Sequence, residues 1–394
     1  GSYNAIKEIW SPVYFEPKDI TPAFDGVFNI ENRYHFTNTR QCSFSYQLKK
    51  WNNAQETVYN GSINSPDIKP MDKGVLKLAL PTDWNTYHAI YITAKDVSRK
   101  EIFTWSFPIT RPNEFVKVMM PAVVSKKVLL TERDSVYEIA ANGLQISIHR
   151  TTGILLSVKK GNTAIPFTNG PVLQEGENNF KNFTHSYNGD TLNISSTFDR
   201  KNSYNTLQWT IYPSGLIRMK VNYFPAAYFT SMVGVNFSFP EKDITGVQYM
   251  GNGPYRVWKN RMKGNKFGIW YKDYNNTETG EAPWIYPEFK GYHANLYWCR
   301  FITKGPSFIV MTENEDLFLR LFTPAFKTDQ WKNYEPIFPT GDISFMQGIT
   351  SIGTKTQRNE TTGPMGMKHI YYDYEKDPER WRTITLYFNF LVNE

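Results

Sequence analysis

The sequence predicts an all-β protein on three observations: apolar and polar residues alternate with period two, turn pairs separate the alternating runs, and long stretches of 3.6-residue periodicity are missing. Phe44, Tyr46 and Leu48 alternate with Ser45 and Gln47, and Phe103, Trp105 and Phe107 with Thr104 and Ser106. The pattern recurs at Leu144, Ile146 and Ile148, at Ile217, Met219, Val221 and Tyr223, and at Ile384, Leu386, Phe388 and Phe390. Asn60-Gly61, Asn142-Gly143, Asn188-Gly189 and Ser214-Gly215 read as turns between strands. The best helical segment, Asp377 to Trp381, is one turn long. A (β/α)8 barrel needs eight amphipathic helices, and the nucleotide-binding α/β folds need helices and glycine fingerprints that this sequence lacks.

Composition narrows the function classes. Among 394 residues, aromatics make up 16%, which suits pleated sheets and also suits sugar-binding surfaces. The net charge of +7 comes from 44 basic and 37 acidic residues, and the basic ones form only doublets such as Lys49-Lys50, Lys126-Lys127 and Lys159-Lys160. Nucleic acid binding wants a positive stripe, so that class is set aside. Two cysteines, Cys42 and Cys299, give neither a disulfide framework nor a zinc site. The six histidines, His35, His88, His149, His185, His293 and His369, show no metal-ligand spacing, so no metal or cofactor is expected. His149 reads as solvent-facing. No Gly-x-Ser-x-Gly elbow occurs. The longest uncharged stretch, 221–239, carries Asn222, Pro225 and Asn236 and is no membrane span.

A boundary falls near Arg111-Pro112. Residues 1–7 read as a leader or tag, 8–112 have the size and strand spacing of an immunoglobulin-like β-sandwich, and 113–127 read as a linker. Residues 128–394 are too long for one simple sandwich and suggest two large curved sheets packed face to face.

The most informative block runs from Tyr249 to Trp298. Gly251-Asn252-Gly253-Pro254 suggests a tight loop that projects Tyr255 and Trp258 beside Arg261. Rings next to Arg and Asn suit sugars, because a pyranose face stacks on an aromatic while its hydroxyls take hydrogen bonds. The competing reading is core packing for Tyr255 and Trp258, with Arg261 in a structural ion pair.

This block resembles the last domain of glycoside hydrolase family 2 enzymes of the β-galactosidase type, which carries Gly-Arg-Gly-Pro-Tyr-Glu-Asn-Tyr-x-Asp-Arg-Lys. Gly251 to Met262 follows it without a gap, keeping Gly251, Gly253, Pro254, Tyr255 and Arg261, with Trp258 for Tyr and Asn260 for Asp. Pro287 to Trp298 is similar to the family's Pro-Gln-Glu-Asn-Gly-x-Arg-x-Asp-Val-Arg-Trp, with His293 where Arg is usual. Asn32-Arg33 through Phe36-Thr37-Asn38 resembles the entry of the preceding immunoglobulin-like domain, and Leu144 to Ser157, with Thr151-Thr152-Gly153, resembles the opening strands of the last domain. The segment after Pro171-Val172-Leu173 departs from the family's Trp-Arg-Ala-Pro-Thr-Asp-Asn-Asp. The stretch from Asp342 to Gly366 lacks the tryptophan that some members lend to the active site, and Trp381 lies beyond it.

The resemblance implies an immunoglobulin-like β-sandwich followed by a large β-supersandwich of the galactose mutarotase type. It also implies that the two catalytic glutamates belong to a barrel upstream in the same polypeptide, so this chain alone is expected to be inactive, with no catalytic residue and no metal ligand. Tyr255, Trp258, Arg261 and His293 are then the candidate substrate-binding residues, with a carbohydrate and the upstream barrel as partners and a bacterial periplasmic or secreted location. Two other readings stay open: a self-sufficient mutarotase- or epimerase-like enzyme using His293 with Glu288 for proton exchange, and a carbohydrate-binding or oligomerisation scaffold that forms homo-oligomers.

Overall fold

The computed structural model describes residues 2–52, 55–122, 126–176, 179–199, 204–223, 229–276, 288–324, 338–352, 369–370 and 382–392. They are nearly all β, built from antiparallel strands in sandwiches. The helical candidate Asp377–Trp381 lies outside the described residues. The chain divides into two compact units: residues 1–111 with 251–255 and 263–269, and residues 112–250 with 256–262 and 270–394.

In the first unit a three-stranded sheet (Val13–Phe15, Val27–Asn32, Lys73–Lys77) and a four-stranded sheet (Gln55–Ile63, Ser43–Asn52, Ala89–Lys95, Glu101–Pro108) enclose a core that includes Phe28, Leu48, Leu76 and Ile92. The Asn-Arg motif is structural. Asn32 is fully buried, donates from Nδ2 to the carbonyls of Thr37 and Ile68 at 2.9 Å each, and accepts from the Tyr34 amide at 3.0 Å. The predicted Asn60-Gly61 turn is instead the interior of the strand Gln55–Ile63. Gly61 is opposite Tyr46, and a Cβ there would lie 2.1 Å from its ring, so the glycine makes room for an aromatic.

Two helices that sequence periodicity passed over are only two turns long, too short to leave a clear pattern. Ser2–Ile9 overlaps the stretch read as leader, and it turns its polar side to the sandwich. Asn4 donates to the Tyr255 hydroxyl at 2.9 Å, Lys7 pairs with Glu101 at 2.9 Å, and the Gly264 amide donates to Glu8 at 2.6 Å. Residues 263–269 are likewise woven into this unit, with the Phe267 amide donating to Ser106 Oγ at 2.7 Å and the Tyr91 hydroxyl donating to the Phe267 carbonyl. The second helix, Pro112–Val118, lies inside the stretch read as linker and belongs to the second unit. Phe115 buries itself there, 5.9 Å between ring centroids from Tyr297.

In the second unit the strands pair in one long antiparallel run. From Phe180–Asn188 it passes through Thr191–Phe198, Tyr204–Ile211 and Ile217–Tyr223 to the late strand Arg382–Asn389. It continues through Phe308–Thr312, Gly291–Thr303, Phe318–Leu321, Ile343–Gly348, Val233–Ser238 and Thr168–Leu173. Leu155–Lys160, Leu144–His149, Val136–Ala141 and Leu129–Arg133 end it. Asn142 and Gly143 both take positive φ in their hairpin, as the two-residue turn requires. Ile343–Gly348, inside the stretch matched to the family's loop, is a buried strand, while residues 353–368 lie outside the described residues.

Inward residues fuse into one core in which Phe167 stacks on Phe237 at 4.6 Å and Trp209 meets Phe388 at 6.1 Å. The Thr-Thr-Gly turn serves this core. His149 is half-buried on the outward side of its strand, and its Nδ1 accepts from the Thr152 hydroxyl at 3.0 Å. Gly153 has φ +70, a Cβ there would meet Leu207 at 2.7 Å, and its carbonyl accepts from Trp209 Nε1 at 2.8 Å. Among the described residues no helix is long and apolar enough to cross a membrane. Trp209→Ala removes a fully buried ring and its hydrogen bond. It is expected to lower unfolding free energy by about 3–5 kcal/mol in urea titration.

Candidate functional site

The block from Tyr249 folds as strand, not as a projecting loop. Ile244–Val257 runs through both glycines and Pro254. Tyr255, half-buried, belongs to the first unit, where its hydroxyl accepts from Asn4 and its amide donates to Asn265 Oδ1 at 2.9 Å. Trp258, Arg261 and His293 belong to the second unit.

Trp258 is 4% exposed and packs with Met232, Tyr292, Met346 and Ile349, its ring 5.5 Å from that of Tyr292 and edge-on. It belongs to that core cluster. Arg261 is exposed and forms an isolated backbone bridge with Trp258. Tyr292 and His293 are neighbours on one strand, so their side chains leave by opposite faces, and His293 lies 5.2 Å from the Tyr249 ring. Pro287 lies outside the described residues. Within the second unit Trp258 and His293 are buried and Arg261 is exposed.

His293 sits instead in a buried polar cluster. Its Nε2 donates to the Phe289 carbonyl at 3.0 Å, because a carbonyl can only accept, and that leaves Nδ1 as a bare acceptor. Among the described residues neither this Nδ1 nor Glu288 Oε2 has a hydrogen-bond partner. Burial, together with the charges of Lys272 and Arg256, holds the His293 pKa well below the ordinary value. Glu288 lies 3.8 Å from Arg256, and both are nearly buried. His293 and Glu288 are both buried.

The cations of this cluster bind main-chain carbonyls. Lys272 donates to Glu288 and Arg256 to Lys290 at 3.3 Å. Lys290 meets Glu241 at 2.5 Å and the Thr323 carbonyl at 3.4 Å. Arg320, fully buried, donates to the carbonyls of Gly341 and Pro339 and to the Thr323 hydroxyl. Burial lowers the Arg320 pKa to about 10 and that of Lys272 to about 7, with Glu288 opposing the fall at Lys272.

A surface recess lies on the other side of the Trp258 packing. Leu173, Glu175, Tyr223, Thr230, Met232, Val233 and Gly234 line it, with room for about one water. Met232 lines it, and the same residue takes a contact from the Tyr292 hydroxyl at 3.6 Å to its sulfur. Trp258 and Tyr292 pack with Met232 in one cluster and are not among the residues that line the recess. Glu175 Oε1 accepts from the Ser231 amide at 3.2 Å. The Tyr223 hydroxyl donates to Gln347 Oε1 at 2.7 Å, and Gln347 Nε2 donates to Asp316 at 3.0 Å. A carboxylate and a hydroxyl at a recess of this size can hold one hydroxyl of a larger ligand, with the Asp316–Gln347–Tyr223 chain fixing the phenol behind it.

Sequence reasoning missed Glu175, Tyr223, Thr230 and Gln347. Tyr223 was read only as a strand residue. The available signal was the departure from the family stretch after Leu173, since Glu175 follows two positions later. No group of three or more His, Cys, Asp or Glu among the described residues could hold a metal ion. Cys42 and Cys299 are both buried and free.

One comparison finds a likeness within the second unit. Residues 140–335 match the family model described as beta galactosidase small chain. The matched span includes Glu175, Tyr223, Thr230, Trp258 and His293 and stops before Gln347. No curated protein matches the chain. The region is β-galactosidase-like, and its all-β sandwich agrees with the resemblance carried by Gly251 to Arg261.

Two outcomes follow from the buried groups. Trp258→Ala is expected to cost about 3–5 kcal/mol of stability in chemical denaturation, as loss of a core ring does. Lys272 has a folded pKa below its ordinary value of 10.5, so between about pH 7 and 10.5 the unfolded chain binds more protons. Unfolding free energy therefore rises with pH across that window, by up to about 1.4 kcal/mol per pH unit from this group. Urea titrations at pH 7 and 9.5 are expected to show a smaller rise in Lys272→Met than in the wild-type chain.

Proposed function

We propose that this chain is a β-galactosidase small-chain-type component, a β-sandwich body that supports and borders a sugar site whose hydrolytic glutamates come from a separate catalytic barrel. The observation that carries the reading is the family match over residues 140–335, on a fold made of the expected sandwiches. In retaining hydrolysis the acid and the nucleophile stand about 5–5.5 Å apart on opposite sides of the scissile bond. This chain's part is then positioning. Glu175, in the lining of the recess, takes a substrate hydroxyl, Tyr223 is held by Gln347 and Asp316, and the packed Trp258–Tyr292–Met232 cluster keeps the lining rigid. Rigid placement matters because binding energy at a remote hydroxyl raises turnover only if the reacting bond is aligned.

The test is reconstitution with the barrel-bearing partner of the same enzyme, using an aryl β-galactoside. The chain alone is expected to show no turnover, the barrel alone little, and the mixture hydrolysis. Glu175→Ala is expected to lower kcat/KM of the mixture about tenfold without changing the melting temperature of the chain. Turnover by the purified chain alone, or a barrel whose rate is the same with and without it, would overturn the reading.

A further inference from the structure

Two groups in the lining of the second unit's recess have a fixed hydrogen-bonding sense, and Gln347 decides the first of them. Its Nε2 donates to Asp316 Oδ2 at 3.0 Å and to the Thr383 carbonyl at 3.3 Å. A carboxylate and a carbonyl can only accept, so the amide is pinned from two sides. Turned over, it would set its oxygen against both of them. The Oε1 end therefore faces Tyr223, whose hydroxyl donates to it at 2.7 Å. A phenol has a single hydrogen. With that hydrogen held by Gln347, the Tyr223 oxygen presents only lone pairs to any other partner.

The second group is Glu175, half-buried, whose Oε1 accepts from the Ser231 amide at 3.2 Å. A carboxylate accepts and does not donate, and with about four lone-pair sites it is not exhausted by one amide. The Thr230 hydroxyl, also in the lining, can turn either way and sets no preference. Tyr223 is 2% exposed and Thr230 1%, so bulk water does not readily stand in for a missing partner there.

We infer that Asp316 and Gln347 are positioning residues that give the recess a polarity: through Tyr223 and Glu175 it takes a sugar group that brings a hydrogen, and it turns away a group of the same size that can only accept. This rests on the part the recess plays in the proposed function and names the substrate class, a glycoside whose hydroxyl at the recess is free and donating. The recess has room for about one water, so size does not separate a hydroxyl from a fluorine, and hydrogen-bonding sense does. An acceptor placed there would face the lone pairs of Tyr223 and Glu175 and leave both without the donor they need. Sites built to bond a substrate hydroxyl reject analogues lacking it far more strongly than they reject a missing methylene.

NMR of the full chain carrying isotope-labelled methionine methyls tests it, because Met232 lines the recess and reports what enters. The probes are methyl β-galactoside and the analogues in which each hydroxyl in turn is replaced by fluorine. The parent sugar is expected to shift the Met232 signal, and one fluoro analogue to bind about tenfold more weakly. Gln347→Met keeps the side-chain length and frees the Tyr223 hydrogen to turn into the recess, so the same analogue is expected to come within about threefold of the parent. Tyr223→Phe keeps the ring and removes the acceptor, and is expected to weaken the parent about tenfold while the fluoro analogue changes less than about threefold. No Met232 shift with the parent sugar, equal binding of the parent and every fluoro analogue, unchanged discrimination in Gln347→Met, or undiminished parent binding in Tyr223→Phe would each overturn the inference. Hydrolysis by the chain mixed with the barrel is read separately, so the β-galactosidase-type reading stands or falls apart from these outcomes.

Discussion

The pairing of Ile217–Tyr223 with Arg382–Asn389 is the constraint on which the second unit rests. It joins strands more than 150 positions apart in register, Met219 opposite Leu386 and Val221 opposite Ile384. Both strands alternate, so a slip by one residue would turn Met219, Val221, Leu386 and Phe388 to the outside and carry Arg218, Lys220 and Thr385 into the core. The cost of burying those polar groups is what holds the register. From it follows the aromatic interior around Trp209 and Phe388.

A second constraint is the use of buried cations as clamps. Lys272, Lys290, Arg256 and Arg320 are nearly or fully buried, where an unpaired charge would be very costly. Each gives hydrogens to main-chain carbonyls, and Arg256 and Lys290 also meet carboxylates. The acceptors are the carbonyls of Glu288, Lys290, Thr323, Pro339 and Gly341. Guanidinium and ammonium groups suit this task because each offers several donors at once. The same cluster explains His293: surrounded by positive charge and without solvent, its imidazole stays neutral.

The first unit shows another way to complete a small sandwich. Residues 251–255 and 263–269 group with it, and the helix Ser2–Ile9 ties to them through Asn4 and Glu8. Tyr255, which sequence analysis offered as a sugar contact, is part of this fastening. A motif kept for such a structural purpose looks the same in sequence as one kept for a ligand, because both need a rigid backbone and an aromatic with a polar tip.

Strand identity was legible in the sequence because alternation is local: the runs at Phe44, Phe103, Leu144, Ile217 and Ile384 are strands, and Asn142-Gly143 turns where positive φ demands it. The all-β class and the likeness to the β-galactosidase small chain followed from such local signals. Asn60-Gly61 misled, since a glycine beneath the Tyr46 ring and a glycine in a turn have the same letters. Only the tertiary structure decided which aromatics face solvent, that Trp258 is core, and that Glu175, Tyr223 and Thr230 meet at one recess although they are drawn from segments up to 55 positions apart. Alternation says that a side chain leaves one face or the other. Which face is covered, and by what, depends on strand pairings between distant residues, and no window of sequence contains them.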